Sequence, residues 1–457
     1  MGPNKDFTRG NILKQLIKLS LPIMGTSFIQ MTYNLTDLFW IGQIGSGAVA
    51  AVGTAGFFIW LSNAMTFSTA IGAQVTVSQS LGLKDTEKAK KYSANAFKFS
   101  MIFSIILALI IYLLAPLLMK FFELGTDQTG FNVTAASVDY LRIITYGLPF
   151  FLTNFTFTGI FNGYGNPQIQ FFINSTGLII NMLFDPLLIH GIWVFPKLGI
   201  KGAALSTSMS QIIVFLIFIY FISNKIKLFS FNQVFKKFDK LKIRAILKIG
   251  IPEAFRNSMF SIFAMILAKI LAQWGPIPIA VQKIGSQIEA LSWRTSSSVA
   301  SALSTFIGQN FGANKYKRIK KGYLNATFMI SVIGIFTSFL FIFNGELISK
   351  LFFSRPEVIK ASVIYLRILG YSQLFMCLEI VTGGAFNGFG RTIPPAVIST
   401  VFTGLRIPLA IILSTIISLN EIGVWWSISG TSILKGILIL IWFTFFINKL
   451  REKDTVV

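Results

Sequence analysis

The chain has 457 residues, of which 53% are hydrophobic and only 12% charged, with a mean hydropathy of +0.69. Soluble domains carry about 25% charged residues, so this composition excludes an ordinary soluble protein and places the chain in a bilayer. The formal net charge of +23 does not indicate nucleic acid, because the basic residues gather in loops between apolar runs and form no single stripe on a soluble face.

Twelve long apolar runs begin near residues 15, 48, 93, 135, 168, 201, 246, 279, 323, 362, 395 and 423. A helix needs roughly 20 such residues to cross a hydrocarbon core about 30 Å thick. Barrel strands would alternate polar and apolar residues over short segments, and these runs do not. The expected fold is an all-α membrane protein of twelve transmembrane helices. The first run is too long for a signal peptide and lacks a small-residue cleavage site, so it reads as span one. Basic loops at Lys84, Lys88, Lys90 and Lys91, at 225–244, at Lys315 to Lys321, and the tail with Lys449 and Arg451 fall on one side of this arrangement. Loops on the other side, Glu123 to Ser137 and Gln273 to Ile277, are nearly free of Lys and Arg. The positive-inside rule then puts both termini in the cytoplasm. A lone cysteine, Cys377, excludes an internal disulfide, and no Cys and His cluster offers a structural metal site.

In span one, Pro22 either starts the helix or frees a carbonyl and permits a hinge. Further along the same span, Tyr33 and Asp37 are four residues apart and share a helix face. Span five repeats the spacing with Asn181 and Asp185. Charges inside a membrane are costly and usually pair or line a water-filled cavity, yet the first six spans hold these two acids and no basic residue near their centres. If the two faces meet, carboxylates, an amide oxygen and a phenol converge. Such oxygen ligands suit a hard cation, and two neighbouring acids in a low dielectric equally suit proton carriage. His190, at the outer end of span five, reads as an interfacial residue. The later spans reverse the balance. Glu253, Glu289 and Glu379 are accompanied by Arg256, Lys269, Lys283, Arg294, Arg406 and Lys435. Internal ion pairs and substrate contacts both account for this set, and Lys435 either pairs with Glu379 or touches substrate.

These two regimes sit on a duplication. Residues 16–91 recur 230 positions later, with LIKLSLP at 16–22 set on ILKIGIP at 246–252 and Gln79 on Gln309. At an offset of 225, Tyr140-Leu-Arg-Ile returns as Tyr365-Leu-Arg-Ile, and Phe161-Asn-Gly-Tyr-Gly as Phe386-Asn-Gly-Phe-Gly. Matches that keep register over most of a half-chain mark a repeated unit. Six spans per copy is an even number, so the copies enter the bilayer in the same direction. The expected architecture is two six-helix bundles related by a pseudo-twofold axis along the membrane normal, a scheme used by secondary transporters. The expected domains are a lobe at 1–222, a basic cytoplasmic linker at 223–245 and a second lobe at 246–457. The glycines of the two Asn-Gly-aromatic-Gly segments are expected in tight turns with positive φ.

Several separated motifs resemble the multidrug and toxic compound extrusion family. They are the acid fifteen residues after Pro22, Asn181-x-x-x-Asp185-Pro186, Gln309-Asn-Phe-Gly-Ala after span eight, and Arg406-Ile-Pro-Leu in span eleven. The resemblance covers nearly the whole chain. It implies a secondary antiporter of a prokaryotic inner membrane that exports amphipathic, often cationic compounds in exchange for Na+ or H+. It further implies a cation site of Asp37, Asn181, Asp185 and Thr207 with Tyr33 beside it, the first four being ligands if the ion is sodium. A substrate cavity would include Asn154, Glu289, Glu379, Arg406 and Lys435. Glu253 departs from the family pattern, because it directly follows Pro252 where members with a second sodium site place the acid deeper. No cofactor, enzymatic activity or nucleic-acid partner is expected, and the protein should act as a monomer in the lipid bilayer. A flippase for lipid-linked saccharides of the same superfamily is the alternative, since basic residues in the second copy would suit an anionic substrate. A channel or scaffold without coupled transport is a third reading, against which the acid-bearing first copy speaks.

Overall fold

The computed structural model describes residues 5–122, 125–126, 130–226, 228 and 238–454. Glu123 and much of the basic linker lie outside the described residues, as does the side chain of Arg451 in the tail. Among the described residues the fold is helical, with no strand beyond one isolated bridge between Thr126 and Asn132. The first copy contributes α1 (Ile12–Gly42), α2 (Ser46–Gly82), α3 (Thr86–Lys120), α4 (Val133–Gly163), α5 (Pro167–His190) and α6 (Ile200–Tyr220). The second contributes α7 (Lys240–Leu271), α8 (Pro276–Gly312), α9 (Tyr316–Phe343), the short α10 (Gly345–Lys350), α11 (Pro356–Gly370), α12 (Gln373–Gly388), α13 (Ile393–Ile411) and α14 (Asn420–Asp454).

Several helices run past the apolar stretch that announced them, because hydropathy marks only the part in hydrocarbon. α3 begins at Thr86, where the Asp85 side chain accepts the Lys88 backbone N–H at 2.8 Å. That contact satisfies one of the four amides a helix start leaves open. Among the described residues, ten helices are long and apolar enough to cross a membrane, or eleven when α11 and α12, bent by 48°, count as one span. The remaining long helix, α8, fails the hydropathy test because it carries Lys283, Glu289 and Arg294 together with glutamines and a run of serines. Ser296 and Ser298 are buried and donate to the carbonyls of Ser292 and Arg294, both at 2.8 Å. Hydroxyls that bond back to their own helix remove most of the polar cost that the hydropathy count assigns them. The bend between α11 and α12 has no equivalent in α4, which runs unbroken. At this point Gly370 and Ser372 stand where the first copy has Thr145 and Gly147, and since the unbroken α4 also carries a mid-helix glycine and Pro149, glycine alone does not set the break.

The duplication is visible in the backbone. Gly165 and Gly390, matched at an offset of 225, both have positive φ, 76° and 73°. Each follows the same corner, with Asn166 N–H donating to Phe161 O at 2.9 Å and Arg391 N–H to Phe386 O at 3.0 Å. Lys84 and Asn314, matched at 230, are likewise left-handed at φ 61° and 55°. Helix contacts repeat too: Gly159 packs on the Ala70 backbone, and Gly384 on that of Ala300. A side chain at either glycine would collide with that backbone, as expected where small residues let membrane helices approach closely.

The described residues pack as two compact units, one of those within 25–254 together with Lys5, and one of residues 6–24 with 255–454. In the first, Phe97, Phe157, Phe215 and Phe218 form a buried aromatic cluster. In the second, Tyr323, Phe386 and Phe443 do so, with Leu16 and Phe306 in the same hydrophobic core. The change of unit along α1 falls two residues after Pro22, and along α7 two residues after Pro252.

The Gln309-Asn310 pair holds the amino-terminal segment. The Gln309 Oε1 accepts the Phe7 N–H at 2.9 Å, and the Asn310 Nδ2 donates to the Phe7 carbonyl at 3.2 Å. Arg318 donates to the carbonyls of Phe7, Arg9 and Gly10 and to Gln15 Oε1, at 2.7–3.0 Å. The Phe7 ring is buried among Leu16, Leu19 and Phe306. Hydrogen bonds to a charged group contribute about 1.5–3 kcal/mol each, so Arg318→Ala is expected to speed trypsin cleavage after Arg9 by about tenfold or more. Limited proteolysis read by mass spectrometry checks this, and unchanged cleavage would show that Arg318 does not hold the segment.

Candidate functional site

In the first unit, α5 presents Asn181 and Asp185 on one face, and both are wholly buried. The Asn181 Nδ2 donates to Asp185 Oδ1 at 3.0 Å and to Ser206 Oγ of α6 at 3.3 Å. One residue on, the Thr207 hydroxyl donates to Asp37 Oδ2 of α1 at 3.3 Å. The carboxyl groups of Asp37 and Asp185 come within hydrogen-bonding range of each other. Thus α1, α5 and α6 bring together all four residues expected to bind a cation. Tyr33 joins them, with its buried hydroxyl beside Thr207 and Gln211 and no well-aligned hydrogen-bond partner.

This cluster holds more acceptors than donors. Asp37 Oδ1, Asp185 Oδ2 and Asn181 Oδ1 are buried without a hydrogen-bond partner. Among the described residues neither aspartate forms an ion pair. Unsatisfied buried oxygens are costly, and two carboxyl groups at this range need a positive charge between them. A proton or a small hard cation supplies it. Two carboxylates supplemented by amide and hydroxyl oxygens make a hard-oxygen donor set.

Asn154 of α4 is directed elsewhere. Its amide donates to the Gln211 carbonyl at 3.0 Å and to Gln211 Oε1 at 3.1 Å. In the second unit, Glu379 of α12 and Lys435 of α14 form an ion pair at 3.0 Å, with side chains only 8% and 5% exposed. Arg406 of α13 lies near them, and its guanidinium donates to Thr431 and Ser432 at 3.0 and 2.8 Å. Glu289 of α8 accepts from Gln373 Nε2 at 2.7 Å and, at the long distance of 3.5 Å, from the Tyr365 hydroxyl. In the second unit Glu379 is therefore neutralised by a lysine and Glu289 is held by neutral donors, whereas neither Asp37 nor Asp185 forms an ion pair with a basic side chain among the described residues.

Ser206, Gln211, Gln373, Thr431 and Ser432 were not legible as site residues in the sequence. Two tyrosines had a signal that went unread. Tyr365 opens the Tyr-Leu-Arg-Ile repeat and contacts Glu289, while its counterpart Tyr140 is buried within electrostatic range of Asp37 and Asp185. Each copy places the same repeated tyrosine beside its own membrane acid.

Comparison with known proteins shows the family and the fold. The family profile described as MatE matches residues 22–187 and 252–412. The chain is 26% identical over 438 residues to a probable multidrug resistance protein NorM of Thermotoga maritima, covering 94% of this chain and 92% of that one. It is also 26% identical to the multidrug export protein MepA of Staphylococcus haemolyticus, covering 98% and 96%. A solved MOP superfamily transporter from Pyrococcus furiosus shares the fold with a TM-score of 0.87 at 22% identity, over 97% of this chain and 98% of that one. With its twelve-helix, two-bundle architecture, the chain is a multi-pass membrane transporter and belongs to the MatE family.

Proposed function

We propose that the protein is a cation-coupled exporter of amphipathic, often cationic compounds, with Na+ or H+ taken up at Asp37, Asp185, Asn181 and Thr207, next to Tyr33. The observation that carries this reading is the pair of neighbouring carboxyl groups whose remaining oxygens, with that of Asn181, have no donor. Ion and substrate would favour different arrangements of a lobe at 1–222 and a lobe at 246–457, joined by the basic linker at 223–245. Only such differential affinity can drive transport. Pro22 is the proposed hinge, supported by the change of packing unit that follows it. Substrate contacts are assigned to Asn154, Glu289, Glu379, Arg406 and Lys435, and the monomer is the working unit in a prokaryotic inner membrane with both termini cytoplasmic. The names of the relatives, a multidrug resistance protein and a multidrug export protein, support the substrate class. The lipid-linked saccharide reading gains nothing, because Arg406 and Lys435 are engaged by hydroxyls and by Glu379 and are not free to meet an anion.

Ethidium movement in proteoliposomes under separately imposed sodium and pH gradients tests the proposal. One of the two gradients is expected to drive uphill transport. Flux that ignores both would overturn coupling and favour a channel.

A further inference from the structure

We infer that the cytoplasmic end of α7 is a binding face for an anionic phospholipid. Lys240, Arg244 and Lys248 recur every four residues and form one stripe, rising about 6 Å per step. Ile243, Leu247 and Ile251 form the neighbouring stripe. Together the six side chains form one open face of the helix. The three cations are exposed, and among the described residues no acid pairs with them. Asp239, just ahead of the helix, is engaged by Lys242, whose ammonium and backbone N–H hold that carboxyl below its ordinary range. Lys242 is two positions from Lys240 and from Arg244, on the far side of the helix.

Helix stability does not account for these cations. The amino-terminal end of a helix carries partial positive charge, so Lys240, in the first turn, is unfavourable there by itself. A resident anion reverses that sign. The occupant must also have an apolar part, because the same helix face continues inward as Ile251, 54% exposed, and Phe255, 52% exposed. Exposed apolar side chains on a membrane helix meet acyl chains. A ligand with a phosphate at the basic end and a hydrocarbon tail alongside Ile251 and Phe255 matches both halves of this face, as phosphatidylglycerol would. Basic residues flanking a membrane segment attract such headgroups. This inference holds whether or not the aspartate cluster carries the coupling ion.

The test uses the full chain in nanodiscs of phosphatidylcholine with and without phosphatidylglycerol, with retained lipid read by native mass spectrometry. Three proteins are compared: wild type, a Lys240→Gln/Arg244→Gln/Lys248→Gln variant, and a charge-matched Lys317→Gln/Lys320→Gln/Lys321→Gln control. Wild type and control should retain phosphatidylglycerol, while the α7 variant loses it by on the order of tenfold or more and keeps phosphatidylcholine unchanged. Equal retention in all three proteins overturns the proposal. So does equal loss in both variants, which would trace the effect to total charge. Competition by inorganic phosphate at the same concentration as the lipid would show a simple anion site and overturn it too. Should the triple variant fail to fold, Arg244→Glu, with Arg244→Lys as the conservative partner, gives the same contrast.

Discussion

Asp37→Asn is expected to abolish ethidium export while the amount of protein in the membrane stays at the wild-type level. Asparagine has nearly the same size and keeps an oxygen that can accept the Thr207 hydroxyl, which approaches Asp37 Oδ2 at 3.3 Å. What it lacks is the charge that a proton or metal ion must meet. Contacts to charged groups are worth about 1.5–3 kcal/mol, and 1.4 kcal/mol is a factor of ten in an equilibrium, so export should fall by at least about tenfold. Cell efflux assays beside an immunoblot of isolated membranes provide the check. Undiminished export by the variant would remove Asp37 from the coupling site.

The second large effect concerns stability. Lys435 and Glu379 face each other at 3.0 Å in a nearly sealed environment. Removing one partner of a buried pair leaves an uncompensated charge and costs about 3–5 kcal/mol, whereas replacing both with apolar residues of similar volume is often neutral or stabilising. Lys435→Met alone should therefore lower the thermal unfolding midpoint sharply. Lys435→Met combined with Glu379→Leu should recover most of that loss. Thermal melts of the purified single and double variants decide it. A single variant as stable as wild type would show that the pair is hydrated and contributes little, as surface pairs do.

What the sequence could reveal followed from periodicity within a helix. Tyr33 with Asp37 and Asn181 with Asp185 were legible because four-residue spacing fixes a shared face, and the imbalance of acids over bases followed from counting. The residues that complete each cluster were not legible. Gln211 meets Asn154, Gln373 meets Glu289, and Ser206 meets Asn181 from a different helix in each case. A sequence shows which side of a helix is polar but not which neighbour that side will face. The exchange of packing unit after Pro22 and Pro252 is hidden for the same reason. The polarity of α8 and the break between α11 and α12 escaped a hydropathy count, which sums side chains without asking whether their hydroxyls bond backward or where the helix bends. The Gln309-Asn310 motif was visible, but its task of holding the Phe7 backbone depends on a segment some three hundred positions away.

The matching corners at Gly165 and Gly390, and at Lys84 and Asn314, have outlasted the charges of the two halves. A left-handed backbone torsion tolerates few residues, so an ancestral bend persists after duplication. In charge the two halves have parted, with Leu267 standing opposite Asp37 and Ala410 opposite Asp185, so their kinship is written more plainly in these corners than in their acids.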